Sequence, residues 1–107
     1  MTRIGLTQRV EVVEAYDERR DCLDQRWAPV VRSFNAIPIP LCNKTEDVEA
    51  YISALELDGI IFTGGNDFAH LENGENTAPE RDAFERELLQ VSIDHGLPML
   101  GVCRGLQ

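Results

Sequence analysis

Cys103 is the residue whose surroundings most favour chemistry. A short apolar run leads into it, and a glycine stands two residues away on each side, in the order Gly101-Val102-Cys103-Arg104-Gly105. This is the spacing of a nucleophile elbow, a sharp strand-to-helix turn in which larger side chains at the glycine positions would crowd the crossing. The N–H groups that open the following helix would lower the pKa of the thiol. We therefore predict that Cys103 is a catalytic nucleophile; the alternative is a buried structural cysteine.

A second segment, T-G-G-N-D at residues 63–67, follows another apolar run. Paired glycines allow a backbone N–H to approach a substrate oxygen closely. If both segments lie at the same edge of a sheet, the N–H of Gly65 and the N–H of Arg104 would form an oxyanion hole. The alternative for Gly64 and Gly65 is a simple turn.

Alternation of apolar runs with helical patterns predicts the elements that position these residues. Strands are expected at residues 4–8, 36–41, 59–63 and 98–102, and the last two are apolar on both faces, as buried parallel strands are. The order β-α-β-α-β-α-β predicts an α/β fold, a flavodoxin-like parallel sheet with helices on both faces. Ligands of such folds bind at the carboxyl ends of the strands.

Helical spacing predicts three intervening helices. Pro29 either kinks the first or marks a start near Trp27. Thr45 is expected to cap the second, and a capping box that begins at Thr77 to open the third, which Gly96 would end. The predicted inner faces are Leu23, Trp27, Val30, Val31 and Phe34 in the first helix, Val48, Ile52 and Leu55 in the second, and Phe84, Leu88 and Val91 in the third.

Composition excludes several classes of function. The 107 residues carry 19 acids against 10 bases, a net charge of −9, so no basic footprint for nucleic acid exists. Neither an apolar run long enough to span a bilayer nor a signal-peptide pattern is present, so we expect a cytoplasmic protein with no membrane partner. The three cysteines lack metal-ligand spacing, so no metal site is expected, and Cys22 and Cys42 are interpreted as packing residues.

Several motifs resemble a known superfamily. G-V-C-R-G-L-Q resembles the nucleophile motif of class I glutamine amidotransferases, and D-G-I-I-F-T-G-G-N-D with P-E-R-D-A-F-E resembles their γ-glutamyl hydrolase branch. Within that branch, I-G-L-T-Q-R, R-D-C-L-D-Q-R-W and I-P-I-P-L are most similar to γ-glutamyl-CDP-amidate hydrolases of capsule synthesis. The resemblance covers almost the whole chain and implies a cysteine hydrolase of γ-glutamyl amide bonds.

The resemblance also implies roles by position. Cys103 would attack the γ-carbonyl and form a glutamyl thioester, while Gly65 and Arg104 would donate backbone N–H groups to the oxyanion. Gly64 and Gln107 would contact the substrate, Gln107 by holding its glutamyl part. The implied partner is a small γ-glutamyl substrate, without a cofactor, and a homodimer or a synthase partner is expected for the full-length enzyme.

Three charged residues are expected to have roles outside the catalytic steps. Arg9 is expected to end the first strand on the active-site rim, where it would meet an anionic group such as a phosphate; the alternative is a solvated arginine. Arg81 and Asp82 match a family motif near a helix start. We interpret them as structural, an exposed charge pair with an acid favoured by the helix dipole.

The family's catalytic triad also needs a histidine and an acid downstream of the nucleophile. His70 and His95 both precede Cys103, so neither fits. We therefore expect residues 1–107 to be the N-terminal half of such a domain, truncated after the elbow and inactive alone, with an unpaired sheet edge and an uncovered apolar face. The alternatives are an amidotransferase subunit that delivers ammonia to a synthase, a non-catalytic flavodoxin-like binding module, and a redox sensor that uses Cys103.

Overall fold

A computed structural model describes residues 1–65 and 77–102. The elements in chain order are β1 (Thr2–Leu6), β2 (Arg9–Val13), β3 (Glu18–Cys22), α1 (Trp27–Ser33), β4 (Ala36–Pro40), α2 (Val48–Leu55), β5 (Gly59–Phe62), α3 (Pro79–His95) and β6 (Met99–Gly101). A 3₁₀ turn, Glu14–Tyr16, connects β2 to β3.

Four strands form a parallel sheet in the order β4-β1-β5-β6. They are the four strands predicted from the sequence, each within two residues of its expected bounds. Within the described residues β4 pairs with β1 alone and is therefore an edge strand. Proline is tolerated at an edge because its missing N–H interrupts no ladder, which explains Pro38 and Pro40 in this strand.

Alternating residues of β5 face two different hydrophobic clusters. Ile60 and Phe62 pack with the buried residues of α2 and α3, whereas Ile61 packs against the cluster of Leu6 and Val31 on the α1 side. Because successive side chains of a strand point to opposite faces, helices must cover both faces of the sheet. The predicted α/β fold is confirmed.

α1 is shorter and less buried than its sequence pattern indicates. It begins at Trp27 with Pro29 in its first turn, which confirms the predicted start. Val31 is buried, but Val30 and Phe34 are 48% and 80% exposed, so their predicted place on the inner face is wrong. A helix of seven residues makes two turns and presents only a narrow stripe to the sheet.

Two of the predicted helix caps are wrong. Asp47, immediately before α2, accepts a hydrogen bond from the Ala50 N–H at 3.1 Å, whereas the Thr45 hydroxyl donates to the Cys42 carbonyl. Asp caps a helix as well as Thr does, and it stands closer to the first turn. Ala78 precedes α3, and no side-chain hydrogen bond caps this helix, so the capping box at Thr77 does not form.

The end of α3 follows the prediction. Gly96 terminates the helix with a φ of 67°, a left-handed conformation that glycine adopts without steric cost. The core-facing residues Phe84, Leu88 and Val91 are all buried, as expected. No helix among the described residues combines the length and the apolar character needed to cross a bilayer.

An antiparallel hairpin of β2 and β3 was not expected from the sequence. It inserts residues 9–22 between the first parallel strand and α1, and it turns at Asp17, whose φ of 52° is left-handed. β3 consists largely of charged residues, and four of its five positions are exposed. Such a strand lacks the apolar alternation by which a half-buried strand is recognised.

An apolar groove of about 460 Å³ lies between α1 and β6. Phe34 and Leu100 line it, and they are 80% and 58% exposed. The uncovered apolar face expected of the sheet stays a prediction, since it depends on the residues after Val102.

Candidate active site at the carboxyl end of the sheet

Three parallel strands bring their carboxyl ends together at one edge. Beyond β1, the N–H of Thr7 donates to the Ile61 carbonyl at 3.1 Å. Beyond β6, the N–H of Val102 donates to the Phe62 carbonyl at 2.8 Å. Thr7, Thr63 and Val102 therefore lie side by side where the strands end, which is the edge at which parallel α/β folds bind ligands.

Two buried threonines lock the loop that leaves β5. The N–H of Thr63 donates to Oγ1 of Thr7 at 2.9 Å, and Oγ1 of Thr63 donates to the Thr7 carbonyl at 2.7 Å. Both residues are almost fully buried, so these hydrogen bonds do not compete with water. The exit direction of the 63–65 segment is fixed before its glycines begin.

Arg81 lies beneath this loop and is completely buried. Its Nη2 donates to the Thr63 carbonyl at 2.6 Å, its Nη1 donates to the Gly64 carbonyl at 3.1 Å, and its Nε pairs with the Glu85 carboxylate one helical turn away. Arg81 was expected to be part of an exposed charge pair, and that interpretation is wrong. Its structural role is retained, but the role is carried out in the interior, against the loop.

Glu85 supplies the negative charge that a buried guanidinium requires. Burial raises the pKa of Glu85, and the adjacent Arg81 opposes that rise through its charge and its hydrogen bond. A buried arginine without a counter-ion would be strongly destabilising, so we infer that the carboxylate is ionised at neutral pH. The pair is therefore an internal salt bridge whose remaining donors hold the loop.

Gly65 occupies a position at which any side chain would be strained. Its φ is 103°, and a Cβ built there would lie 2.6 Å from Cβ of Arg9 and 3.3 Å from Nη1 of Arg81. The first of these contacts is with an atom fixed to the backbone, which cannot rotate away. The glycine thus permits a close approach between the loop and the hairpin, as the paired-glycine argument requires.

Arg9 is the first residue of β2 and not the end of β1, which corrects its predicted place in the chain. It still lies at the carboxyl edge, because its side-chain carbons pack against Gly65. Its Nε donates to Oε1 of Glu11 at 2.7 Å, and its side chain is 37% exposed. The guanidinium therefore stands beside the loop in partial contact with solvent, paired with one carboxylate.

The hairpin is anchored to the same edge at two further points. The side-chain amide of Asn43, in the loop after β4, donates to the Asp21 carboxylate at 2.9 Å. Arg19 makes a two-pronged ion pair with Glu80 in the first turn of α3, at 2.6 and 2.9 Å. The hairpin therefore forms a wall along the carboxyl ends of the strands.

Three predicted site residues, Cys103, Arg104 and Gln107, lie outside the described residues, as does His70. Val102, to which Cys103 is bonded, is the last described residue. His95 lies at the C-terminus of α3, four residues before β6 begins, and thus at the opposite end of the strands from Val102. Within the described ranges no group of three or more His, Cys, Asp or Glu side chains is arranged to hold a metal ion.

The other cysteines are both free thiols. Cys22 is half-buried, and Cys42 is exposed, so the packing role predicted for Cys42 is wrong. The backbone N–H of Cys42 donates to the hydroxyl of Tyr51 at 3.0 Å. Cys42 therefore contributes to the structure through its backbone.

Sequence reasoning missed the burial of Arg81, although a signal for it was present. Arg81, Glu85, Leu88 and Ser92 recur at spacings of three and four residues and share one face of α3. Two charged residues within an otherwise core-facing stripe, four apart and of opposite sign, indicate an internal ion pair. The threonine pair Thr7 and Thr63 had no comparable local signal, because its members are 56 residues apart.

The parallel four-stranded sheet flanked by helices is consistent with a flavodoxin-like fold. A family model described as Peptidase C26 matches residues 3–107, and the chain belongs to this family. The resemblance drawn from the motifs is confirmed at this level.

The sequence is similar to those of several curated proteins, including the following three. A γ-glutamyl-CDP-amidate hydrolase of Campylobacter jejuni is 30% identical over 107 residues, 97% of this chain and 52% of the relative. A glutamine amidotransferase-like protein of Lactococcus lactis is 38% identical over 72 residues, 61% of this chain and 30% of the relative. Another, from Rickettsia prowazekii, is 27% identical over 93 residues, 79% of this chain and 32% of the relative. The chain thus spans between about a third and about half the length of these relatives.

Proposed function

We propose that this chain carries the nucleophile, Cys103, and the oxyanion loop, residues 63–65, of a cysteine hydrolase that cleaves γ-glutamyl amide bonds. One observation supports the proposal above the others. The hydrogen bond from Val102 N–H to the Phe62 carbonyl brings the residue that precedes Cys103 beside the loop that contains Gly64 and Gly65. A nucleophile and an oxyanion donor must both lie within about 3 Å of the reacting carbonyl group, so their segments have to meet at one edge.

The proposed chemistry proceeds in two stages. The Cys103 thiolate attacks the γ-carbonyl carbon, and the carbonyl oxygen becomes an oxyanion that the N–H groups of Gly65 and Arg104 stabilise. The proton that the thiol lost on ionisation is transferred to the leaving amine, the C–N bond breaks, and a glutamyl thioester remains on the sulfur. Water then attacks the thioester, which releases glutamate and restores the thiol. Gln107 holds the glutamyl part of the substrate in this scheme.

The proposal extends to a substrate that carries a phosphate. The relative from C. jejuni, which aligns over nearly the whole chain, acts by its name on γ-glutamyl-CDP-amidate. Arg9 lies beside Gly65 with a partly exposed guanidinium, which suits a diphosphate on the leaving-group side. Replacement of Arg9 by Gln should raise KM for such a substrate about tenfold while KM for glutamine stays unchanged.

Loss of the nucleophile tests the reaction class. The longest protein that the source gene encodes is purified and assayed for glutamate release from glutamine and from γ-glutamyl-p-nitroanilide. We expect the Cys103→Ala variant to lose at least about 10³-fold in kcat, because a covalent mechanism has no substitute for its nucleophile. Cys42→Ala is the matched control, since Cys42 is an exposed thiol that follows β4, at the other end of the strand order from β6, and it should retain full activity. Equal activity of the Cys103→Ala variant would refute the proposal.

A second candidate is an amidotransferase that passes ammonia to a synthase. The L. lactis and R. prowazekii relatives, both named glutamine amidotransferase-like, favour it. The two functions share the elbow and differ in the fate of the amine. Free ammonia from glutamine as the preferred product, with activity raised by a co-purifying synthase, would identify the amidotransferase. Preference for a substituted γ-glutamyl amide with no such stimulation would identify the hydrolase.

A further inference from the structure

The guanidinium of Arg81 holds two successive carbonyl groups of the oxyanion loop. Nη2 donates to the Thr63 carbonyl at 2.6 Å and Nη1 to the Gly64 carbonyl at 3.1 Å. Nη2 also lies 3.4 Å from the hydroxyl oxygens of Thr7 and Thr63. Nε is occupied by Glu85, so the planar fork is fixed on both sides.

A held carbonyl also orients the N–H group of the following residue. The C=O of Gly64 and the N–H of Gly65 belong to one rigid peptide plane and point in opposite directions. The same holds for the Thr63 carbonyl and the Gly64 N–H. With both carbonyls directed inward to Arg81, the N–H groups of Gly64 and Gly65 are directed away from the interior. Because glycine offers little steric resistance to rotation of these peptide planes, their orientation depends on the hydrogen bonds from Arg81.

We propose that Arg81, locked by Glu85, is the positioning residue of the oxyanion hole. The inference rests on the proposed function, since it assigns to Arg81 the task of aiming the Gly65 N–H at the developing oxyanion. Arg81 itself does not touch the substrate, because it is completely buried beneath the loop. Its effect is therefore expected in the transition state and not in substrate binding.

The Arg81→Lys variant tests this assignment in the longest protein that the gene encodes. Lysine keeps the positive charge beside Glu85 but has no planar fork that spans two carbonyls and a carboxylate. With γ-glutamyl-p-nitroanilide we expect kcat to fall about 10- to 100-fold, the scale of a misplaced or lost oxyanion donor. KM and the rate of Cys103 alkylation by iodoacetamide should not change. Arg86→Lys, the same change at an exposed position of the same helix, is the matched control and should leave all three values unaltered.

Two outcomes of this assay would overturn the assignment. One is wild-type kcat in the Arg81→Lys variant; the other is a rise in KM with kcat unchanged, which would mean a role in ground-state binding. A structural role alone would lower the yield of folded protein without this division between kcat and KM.

A second readout does not depend on turnover. NMR order parameters of the Gly64 and Gly65 amides should fall in Arg81→Lys relative to Arg86→Lys, and unchanged values would refute the positioning role. If the wild-type protein hydrolyses no γ-glutamyl substrate, the proposed function fails while this measurement still decides the role of Arg81.

A third variant covers the case in which Arg81→Lys does not fold. The double variant Arg81→Met/Glu85→Leu buries no charge, and such replacements of internal ion pairs are often neutral or stabilising. We expect it to fold and to show the same loss of kcat and the same fall in order parameters. A folded double variant with wild-type values would contradict the proposal.

Discussion

Arginine–carboxylate pairs occur both in the interior and on the hairpin, and they differ in what surrounds them. Arg81 and Glu85 are 0% and 8% exposed, and the guanidinium also holds the carbonyls of Thr63 and Gly64. Arg20 and Glu18, on β3, are 49% and 47% exposed. The charged groups are the same, so the two pairs differ in their burial and in the further hydrogen bonds of the guanidinium. An exposed charge left alone is solvated by water, whereas a buried one is not.

The largest effect is expected when the internal pair is broken from one side. Arg81→Ala should lower the free energy of unfolding by about 3–5 kcal/mol, because it leaves the Glu85 carboxylate buried without a partner. Urea denaturation, with the midpoint and slope fitted separately, measures the change. The double variant Arg81→Met/Glu85→Leu is the control and should recover most of the loss. A loss below about 1 kcal/mol in Arg81→Ala would show that water reaches the pair.

The next effect concerns the loop that the internal pair holds. Gly65 and Gly96 both have positive φ, but a Cβ at Gly65 would lie 2.6 Å from Cβ of Arg9, whereas a Cβ at Gly96 would meet nothing within 4 Å. Gly96→Ala should therefore cost about 1 kcal/mol, the penalty of the left-handed conformation alone. Gly65→Ala should cost about 2–4 kcal/mol, because the hairpin must also move.

Thermal unfolding of the two glycine variants under identical conditions makes this comparison. Equal shifts in Tm would mean that the hairpin yields without cost and does not press on the loop.

The parallel sheet could be predicted because its strands carry their own signal. Residues 59–62 and 99–101 are short apolar runs between helical patterns, which is typical of parallel strands. The predicted burial is confirmed for β5 but is wrong for β6, where Met99 and Leu100 are 39% and 58% exposed. The alternation of elements then restricts the topology. The signal for the end of α3 was equally local, because a glycine after the last helical residue is sufficient to predict where the helix ends.

The polar part of the site could not be predicted in the same way. The charge of Arg81 indicates an exposed residue, whereas its position on the core-facing stripe of α3 indicates a buried one. The Thr7–Thr63 contact depends on the pairing of β1 with β5. The hairpin was missed because its second strand is stabilised by specific partners, among them Glu80 and Asn43, and not by an apolar face. Contacts between distant polar residues leave no period in the sequence.

The exposure of the Arg19–Glu80 pair lies between that of the buried Arg81–Glu85 pair and that of the exposed Arg20–Glu18 pair. Arg19 is 44% exposed and Glu80 19%, and the pair connects the hairpin to α3 through two hydrogen bonds. A double-mutant cycle with Arg19→Ala and Glu80→Ala should give a coupling energy of about 0.5–1 kcal/mol at pH 7 and low salt. Screening should reduce this energy at 1 M salt.

The same pair predicts a dependence on pH. The hydrogen bond from Arg19 lowers the pKa of Glu80 below its ordinary value. A carboxyl group whose pKa is lowered by folding stabilises the folded state above its unfolded pKa, about 4.3, and this contribution disappears as the pH falls through the folded pKa. The coupling energy should therefore be complete at neutral pH and lost in acid. Coupling that persists after Glu80 is protonated would contradict the ionic origin of the contact.

The smallest effect is expected for the exposed pair with which the comparison began. Arg20→Ala should leave the free energy of unfolding unchanged within the error of the measurement, although Arg20 pairs with Glu18 and donates to the Tyr16 hydroxyl at 2.7 Å. Water replaces both partners when the side chain is removed, since all three side chains are exposed. The measurement uses the same urea titration as for Arg81→Ala. A loss as large as that of Arg81→Ala would show that pairing geometry, and not burial, decides what an arginine–carboxylate pair contributes to this protein.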